Sequence, residues 1–239
     1  MPPSGGSVVG ILGGMGPEAT VDLMRRVIAL TPAQDDADHV HMLVDNNPQV
    51  PSRIAALIDG TGESPVPTLV AMAQRLQQQG ADFLAMPCNT AHHYHADIAA
   101  AVSVPFLHMP QLVAAAVARD FPNVTGVGLL ASTAVTQIEL YEPCFTTYDL
   151  TVSFPDPARQ GALMALIRSV KGVGPDAGEL AAATAAAADL AFGGAELLVL
   201  ACTELSVLAG QLDLPLPTLD AADVLAWEIV RRAVPTVAG

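Results

Sequence analysis

Apolar residues in this chain fall into short unbroken runs, separated by longer stretches in which they return every three or four positions. Residues 7–12, Ser-Val-Val-Gly-Ile-Leu, read as a buried strand, and the turn Gly13-Gly-Met-Gly-Pro17 follows. Residues 18–30 then carry a helical pattern, with Pro17 and Glu18 suited to a first helical turn. The pattern predicts a strand over 40–44, a helix over 68–79 closed by Gly80, and a buried strand over 81–86. Strands alternating with helices predict an α/β fold, in which a parallel sheet is covered by helices on both faces. Residues 59–67 combine turn formers with few apolar positions and read as a surface loop or a lid. The alanine-rich stretch 181–188 reads as a packed helix ahead of the last core strand.

The same order of elements occurs twice. Gly80-Ala-Asp-Phe-Leu-Ala-Met-Pro-Cys88 aligns with Gly194-Ala-Glu-Leu-Leu-Val-Leu-Ala-Cys202 at an offset of 114 (202 − 88). Val9-Gly-Ile-Leu12 aligns with Val127-Gly-Leu-Leu130 at 118 (127 − 9), and Val104-Pro-Phe-Leu-His108 with Leu216-Pro-Thr-Leu-Asp220 at 112 (216 − 104). Three pairs in one order imply two related, pseudo-symmetric halves. A duplicated unit of this kind is expected to hold its active site in the cleft between the domains, beyond the carboxyl ends of the strands.

Composition narrows the possible partners. The 239 residues carry 24 acids and 10 bases, a net charge of −14, and no basic cluster exceeds two residues. Neutralising nucleic-acid phosphates or an anionic membrane surface needs a basic footprint, so the expectation is no nucleic acid, no membrane and a small-molecule ligand. The longest uncharged stretch, 98–118, is broken by Pro105 and Pro110 and does not read as a membrane span. Three cysteines and no signal-like start make a secreted disulfide framework a poor reading, and a reducing cytoplasm fits better.

The matched cysteines are the leading candidates for chemistry. Cys88 and Cys202 each follow an apolar strand and precede a polar step, Asn89-Thr90 or Thr203-Glu204, that can open a helix. Backbone N–H groups at such a helix start favour a thiolate and bind anions. Two opposed thiols suit removal of a proton from one face of a carbon acid and its return to the other, with no metal or organic cofactor. Cys144 has no repeat partner and reads as structural. His92, His93 and His95 lie near Cys88 without the spacing of a zinc site, so no metal is expected. The glycines at 13, 14 and 16 complete neither nucleotide-binding pattern and suit close backbone approach to a small ligand.

Five blocks together resemble the cofactor-independent aspartate/glutamate racemases, in particular the aspartate racemase branch. They are Ile11-Leu-Gly-Gly-Met-Gly-Pro-Glu-Ala-Thr20, Val44-Asp-Asn-Asn-Pro-Gln-Val-Pro-Ser-Arg53, Met86-Pro-Cys-Asn-Thr-Ala-His92, Gly128-Leu-Leu-Ala-Ser-Thr133 and Ala201-Cys-Thr-Glu204. The resemblance implies that Cys88 and Cys202 are the acid/base thiols. It implies that Asn89, Thr90 and Thr203 hold the α-carboxylate and that Met15 lines the site. Arg53 and Lys171 match the places of the distal-carboxylate cations. Where the family commonly has Thr-Asp-Gly-Thr, this chain has Ser132-Thr133-Ala134-Val135, and Thr133 or Thr136 can supply the missing hydroxyl.

The resemblance further implies a homodimer that interconverts L- and D-aspartate. It implies a first domain of residues 1–103 plus 214–239 and a second of 104–213, with the strand 104–107 crossing into the second domain and the chain after Leu214 returning to the first. A pyridoxal phosphate racemase would need a Schiff-base lysine and a phosphate cup, and the single lysine, Lys171, sits among glycines with no phosphate motif. Two alternatives remain from other classes: a decarboxylase or cis–trans isomerase on another small acid, and a ligand-binding or redox-sensing protein using the same cysteines.

Overall fold

A computed structural model describes residues 6–170, 172 and 174–234. The chain opens with β1 (Val9–Gly13), α1 (Pro17–Leu30), β2 (Met42–Asn46), α2 (Arg53–Leu57), α3 (Val66–Gln78), β3 (Phe83–Ala85) and α4 (His95–Ala100). It continues through α5 (Met109–Asp120), β4 (Gly126–Ala131), α6 (Thr133–Gln137), α7 (Glu142–Thr146), β5 (Thr151–Ser153) and α8 (Pro157–Val170). Then come α9 (Ala177–Phe192), β6 (Leu197–Ala201), α10 (Thr203–Val207), β7 (Thr218–Asp220) and α11 (Ala221–Ala233). Among the described residues, those up to His108 together with those from Ala222 on form one compact unit, and those from Met109 to Ala221 form the other. Among the described residues no helix is long and apolar enough to cross a membrane.

Each unit is a parallel sheet flanked by helices, as the alternation of apolar runs predicts. The first sheet runs β2-β1-β3 and the second β5-β4-β6-β7. The internal repeat is reproduced down to the strand register. Val9 lies opposite Phe83, and Val127, 118 residues later, lies opposite Leu197. The central strand of each unit carries a glycine at the same place, where a side chain would collide with the covering helix. A Cβ on Gly10 would come within 3.0 Å of Leu76 in α3, and one on Gly128 within 3.0 Å of Leu190 in α9. The strand starts are pinned alike: Asp82 accepts from Val8 N–H at 2.7 Å, and Glu196 from Thr125 and Gly126 N–H at 2.7 and 3.1 Å.

The domain boundaries differ from those the resemblance implied. Residues 104–107 do not cross into the second unit. They extend the first sheet, with Leu84 N–H donating to Pro105 O at 2.8 Å and Leu107 N–H to Leu84 O at 2.9 Å. Likewise β7 stays in the second sheet, beside β6, so the chain returns to the first unit only at α11. The boundaries therefore fall after His108 and after Ala221. The physical reason is ladder completion: each segment supplies the backbone partners that the outer edge of β3 or β6 would otherwise lack. The alignment of 104–108 with 216–220 already pairs these two edge segments.

Smaller differences lie at element ends. The helix expected over 68–79 begins at Val66, with Pro67 in its first turn, so it consumes the end of the expected loop. The alanine-rich stretch belongs to α9, whose start is fixed by a capping box between Asp176 and Glu179. In the turn after β1, Gly14 has φ +92°, and a Cβ there would lie 2.2 Å from the Asn47 backbone. Gly14→Ala is expected to cost at least about 2 kcal/mol, since both the φ and the contact are backbone constraints. Gly161→Ala, in open space on α8, should instead stabilise by about 0.5–1 kcal/mol. Urea denaturation of both variants checks this, and equal effects would contradict the assignment of strain to Gly14.

Candidate active site

In the first unit the site is built where β3 runs out. Cys88 N–H donates back to Met86 O at 2.9 Å, which turns the chain sharply after the strand. A five-residue 3₁₀ turn, Thr90–Tyr94, follows, and His92 Nδ1 meets Cys88 O at 2.9 Å. Cys88 is buried in one apolar cluster with Met15, Val50 and Tyr94. Met15 arrives from the turn after β1, which Gly14 N–H anchors by donating to Thr20 Oγ1 at 2.9 Å. Arg53 opens α2 and its Nη1 donates to Val50 O at 3.2 Å and Pro51 O at 3.0 Å. Its positive charge reaches Tyr94, whose hydroxyl is raised by burial and partly brought back by the guanidinium. Thus Met15, Cys88 and the anchor of Arg53 converge, with Asn89 buried and Thr90 half-exposed on the next two positions.

Arg53 differs from most of the other arginines, though the exposed Arg168 likewise meets no carboxylate among the described residues. Arg26, Arg75, Arg159, Arg231 and Arg232 all meet carboxylates within 3.0 Å. Among the described residues Arg53 meets only carbonyls, which fix its direction and leave its charge available for an anion.

Behind Cys88 lies a stack of neutral imidazoles. His95 stacks on Phe106 at 4.6 Å between ring centroids, His92 stacks on both, and His108 stands edge-on to His92 and His95. Burial pushes His92 down to about 3, with the Cys88 carbonyl opposing and the neighbouring His108 and His95 adding to the fall. Burial likewise takes His108 down to about 4, and His95 lies below its ordinary value for the same reason. Among the described residues no group of three or more His, Cys, Asp or Glu side chains is arranged to hold a metal. The stack packs the Cys88 turn against residues 106–108.

In the second unit Cys202 caps α10 with an extended backbone, φ −147° and ψ 121°. Its buried thiol donates to Glu204 Oε2 at 3.0 Å. Ser206 folds back on the same turn and its hydroxyl donates to Asp220 Oδ1 at 2.6 Å. The fully buried Tyr141 hydroxyl lies well above its ordinary value, first from burial and then from its acidic neighbours Cys144, Asp220 and Cys202. Thr203 is buried beside Cys202. Thr133 opens α6, where its Oγ1 receives Gln160 Nε2 at 3.3 Å and its N–H faces Met164 Sδ at 3.2 Å. Lys171 lies outside the described residues.

Each thiol does precede a helical turn, Cys202 as the N-cap of α10 and Cys88 one residue before the N-cap of a 3₁₀ turn. Cys88 precedes a 3₁₀ turn and α10 is a single turn of five residues, so neither offers the summed dipole of a long helix. For Cys202 the nearest charge is a carboxylate, which takes the thiol proton as a hydrogen bond. Glu204 is the side chain beside the thiol that sequence reasoning passed over, although a carboxylate two residues after a candidate thiol, at the end of an apolar strand, was a signal. Gln160 had no such signal, since only the fold brings α8 to the end of β4.

Comparison with known proteins bears on the family and the fold. A model of the Asp/Glu/hydantoin racemase family matches residues 12–229. The chain is 28% identical over 228 residues to the broad specificity amino-acid racemase RacX of Bacillus subtilis, covering 93% of this chain and 96% of that one. Its fold matches the Picrophilus torridus aspartate racemase with a TM-score of 0.83 at 29% identity, over 95% of this chain and 94% of that one. Arylmalonate decarboxylase, at 16% identity and a TM-score of 0.52 over 95% and 92% of the two chains, shares the fold.

The histidine stack predicts an acid-sensitive fold. His92 stays neutral when folded down to about 3, while an unfolded histidine takes up a proton near pH 6.5. Unfolding therefore binds a proton between these values, and stability falls with falling pH by about 1.4 kcal/mol per unit for that one group. Urea titrations at pH 7.5, 6 and 5 should show this loss, and His92→Gln should flatten the slope. An unchanged slope in the variant would remove His92 as the cause.

Proposed function

Since the chain belongs to the Asp/Glu/hydantoin racemase family, a family of isomerases, we propose that it racemises an amino acid by transferring the α-proton between Cys88 and Cys202. The carrying observation is the pair itself: two buried thiols, each just past the end of the corresponding inner strand of its own unit. In this reading one cysteine, as thiolate, takes the α-proton and becomes a thiol. The other, as thiol, gives its proton to the opposite face of the carbon and becomes a thiolate. The net change is inversion, and the roles exchange for the other enantiomer.

The two cysteines are not equivalent in this scheme. Glu204 accepts a hydrogen bond from Cys202 and can receive and return that proton, whereas the Cys88 turn is held by the neutral His92. Asn89, Thr90 and Thr203 supply polar groups for the α-carboxylate, where donors count most as charge builds on it in the carbanionic transition state. Met15 supplies an apolar wall. Arg53, its charge uncompensated by any described carboxylate, favours a substrate with a second carboxylate, and by family resemblance Lys171 is proposed to recognise the same group. Aspartate is therefore the proposed substrate, with glutamate next. The reading includes a cytoplasmic homodimer.

Incubation of the pure protein in heavy water with single L-amino acids should show deuterium at the α-carbon and loss of chirality for aspartate. No exchange with any acidic or neutral amino acid would refute the racemase. Cys88→Ser and Cys202→Ser should each lower racemisation about 10²- to 10⁴-fold; full activity in either would exclude the two-thiol route. Arg53→Ala should reduce kcat/KM for aspartate about 10- to 100-fold more than for alanine. Equal losses for the two substrates would take the distal carboxylate away from Arg53.

A further inference from the structure

Gln160 sits in the first turn of α8 and is buried, yet its amide reaches out to two groups at the end of β4. Its Nε2 donates to Ala131 O at 3.0 Å and to Thr133 Oγ1 at 3.3 Å. The direction of the amide is fixed by chemistry, because a backbone carbonyl can only accept. Its Oε1 is correspondingly buried without a hydrogen-bond partner among the described residues. The side chain thus satisfies its donors and forgoes its acceptor, an arrangement that core packing alone does not favour.

The consequence falls on Thr133. A hydroxyl has one proton and two acceptor positions, and Gln160 occupies one acceptor position. Thr31, Thr146 and Thr147, at the ends of their helices, spend their proton on the carbonyl four residues back, that of Val27, Glu142 and Pro143. Thr133 is the first residue of α6 and has no such helical carbonyl behind it. Among the described residues its hydroxyl donates to none, and it is half-exposed. A half-exposed hydroxyl held as a donor matches an acceptor-only ligand group, which a carboxylate is.

We infer that Gln160 is a positioning residue for substrate recognition: by donating to Thr133 Oγ1 it turns the Thr133 hydroxyl proton toward a carboxylate of the substrate. The inference rests on the racemase reading for the identity of that substrate. It adds a residue in α8 that touches no substrate and acts only through Thr133.

A double-mutant cycle tests it. T133V is expected to raise KM for aspartate about tenfold with a much smaller change in kcat, and Q160M about fivefold, while the double variant matches T133V within about twofold. Q160E, whose carboxylate would draw the hydroxyl proton inward, should raise KM more than Q160M does. T133S should regain most of the affinity lost in T133V. Effects of T133V and Q160M that multiply in the double variant, or Q160M acting on Tm alone, would overturn the proposal. If Q160M does not fold, T133V decides: unchanged affinity for the carboxylate ligand overturns it. Calorimetry with succinate runs the same cycle in Kd without turnover. A protein that racemises nothing but shows the non-additive cycle for succinate refutes the racemase reading and keeps this one. Active enzyme with multiplicative effects does the reverse, and wild-type protein that neither turns over nor binds succinate overturns both.

Discussion

In each unit a helix packs down onto an inner strand over a glycine, Gly10 under Leu76 and Gly128 under Leu190. Much else depends on it. Packed interiors tolerate little displacement, so the missing side chain fixes how deep α3 and α9 sit on their sheets. That depth sets where each helix ends and the next strand begins, closed by Gly80 or Gly194 at φ +99° or +97°. Equal registers of β1 with β3 and of β4 with β6 then carry the chain the same distance to its thiol. The placement of Cys88 and Cys202 is a product of packing before it is one of chemistry.

Electrostatics then separates the two halves that packing makes alike. The acids that pin the strand starts, Asp82 and Glu196, are equivalent, and Glu196 is held below its usual range by the Thr125 and Gly126 amides. Around the thiols the equivalence ends. Cys202 lies among Glu204, Asp220 and the buried Tyr141, whereas Cys88 lies among neutral imidazoles with Arg53 anchored on the same cluster. One half is rich in groups that accept or carry protons, and the other is rich in apolar surface with one available cation. A duplicated scaffold has come to carry two unlike thiol environments.

Much of this was legible in the chain because it rests on local rules. The strand runs, the glycines and the cysteine pair all follow from periodicity and from an internal alignment that needs no outside knowledge. That alignment also placed the edge segments 104–108 and 216–220 correctly in parallel roles, where the boundaries inferred from family likeness did not. What could not be read depends on contacts distant in sequence. Gln160 reaches Thr133 across 27 positions, and His108 meets His92 across a strand that begins well after the cysteine turn. The thiol–carboxylate contact is local, but the burial that gives it weight belongs to the folded unit.

The discontinuity of the first unit also bears on the order in which the protein can be made. The second unit is one uninterrupted stretch, 109–221, and contains everything its sheet requires. The first closes only when α11 is added, with Ser7 N–H donating to Ala233 O at 3.1 Å and Leu225, Ile229 and Val230 buried. During synthesis the second unit can therefore complete its core while the first waits for residues emerging more than a hundred positions later. The Cys88 half remains a sheet without one of its covering helices for that interval, with apolar surface available to chaperones and to aggregation alike.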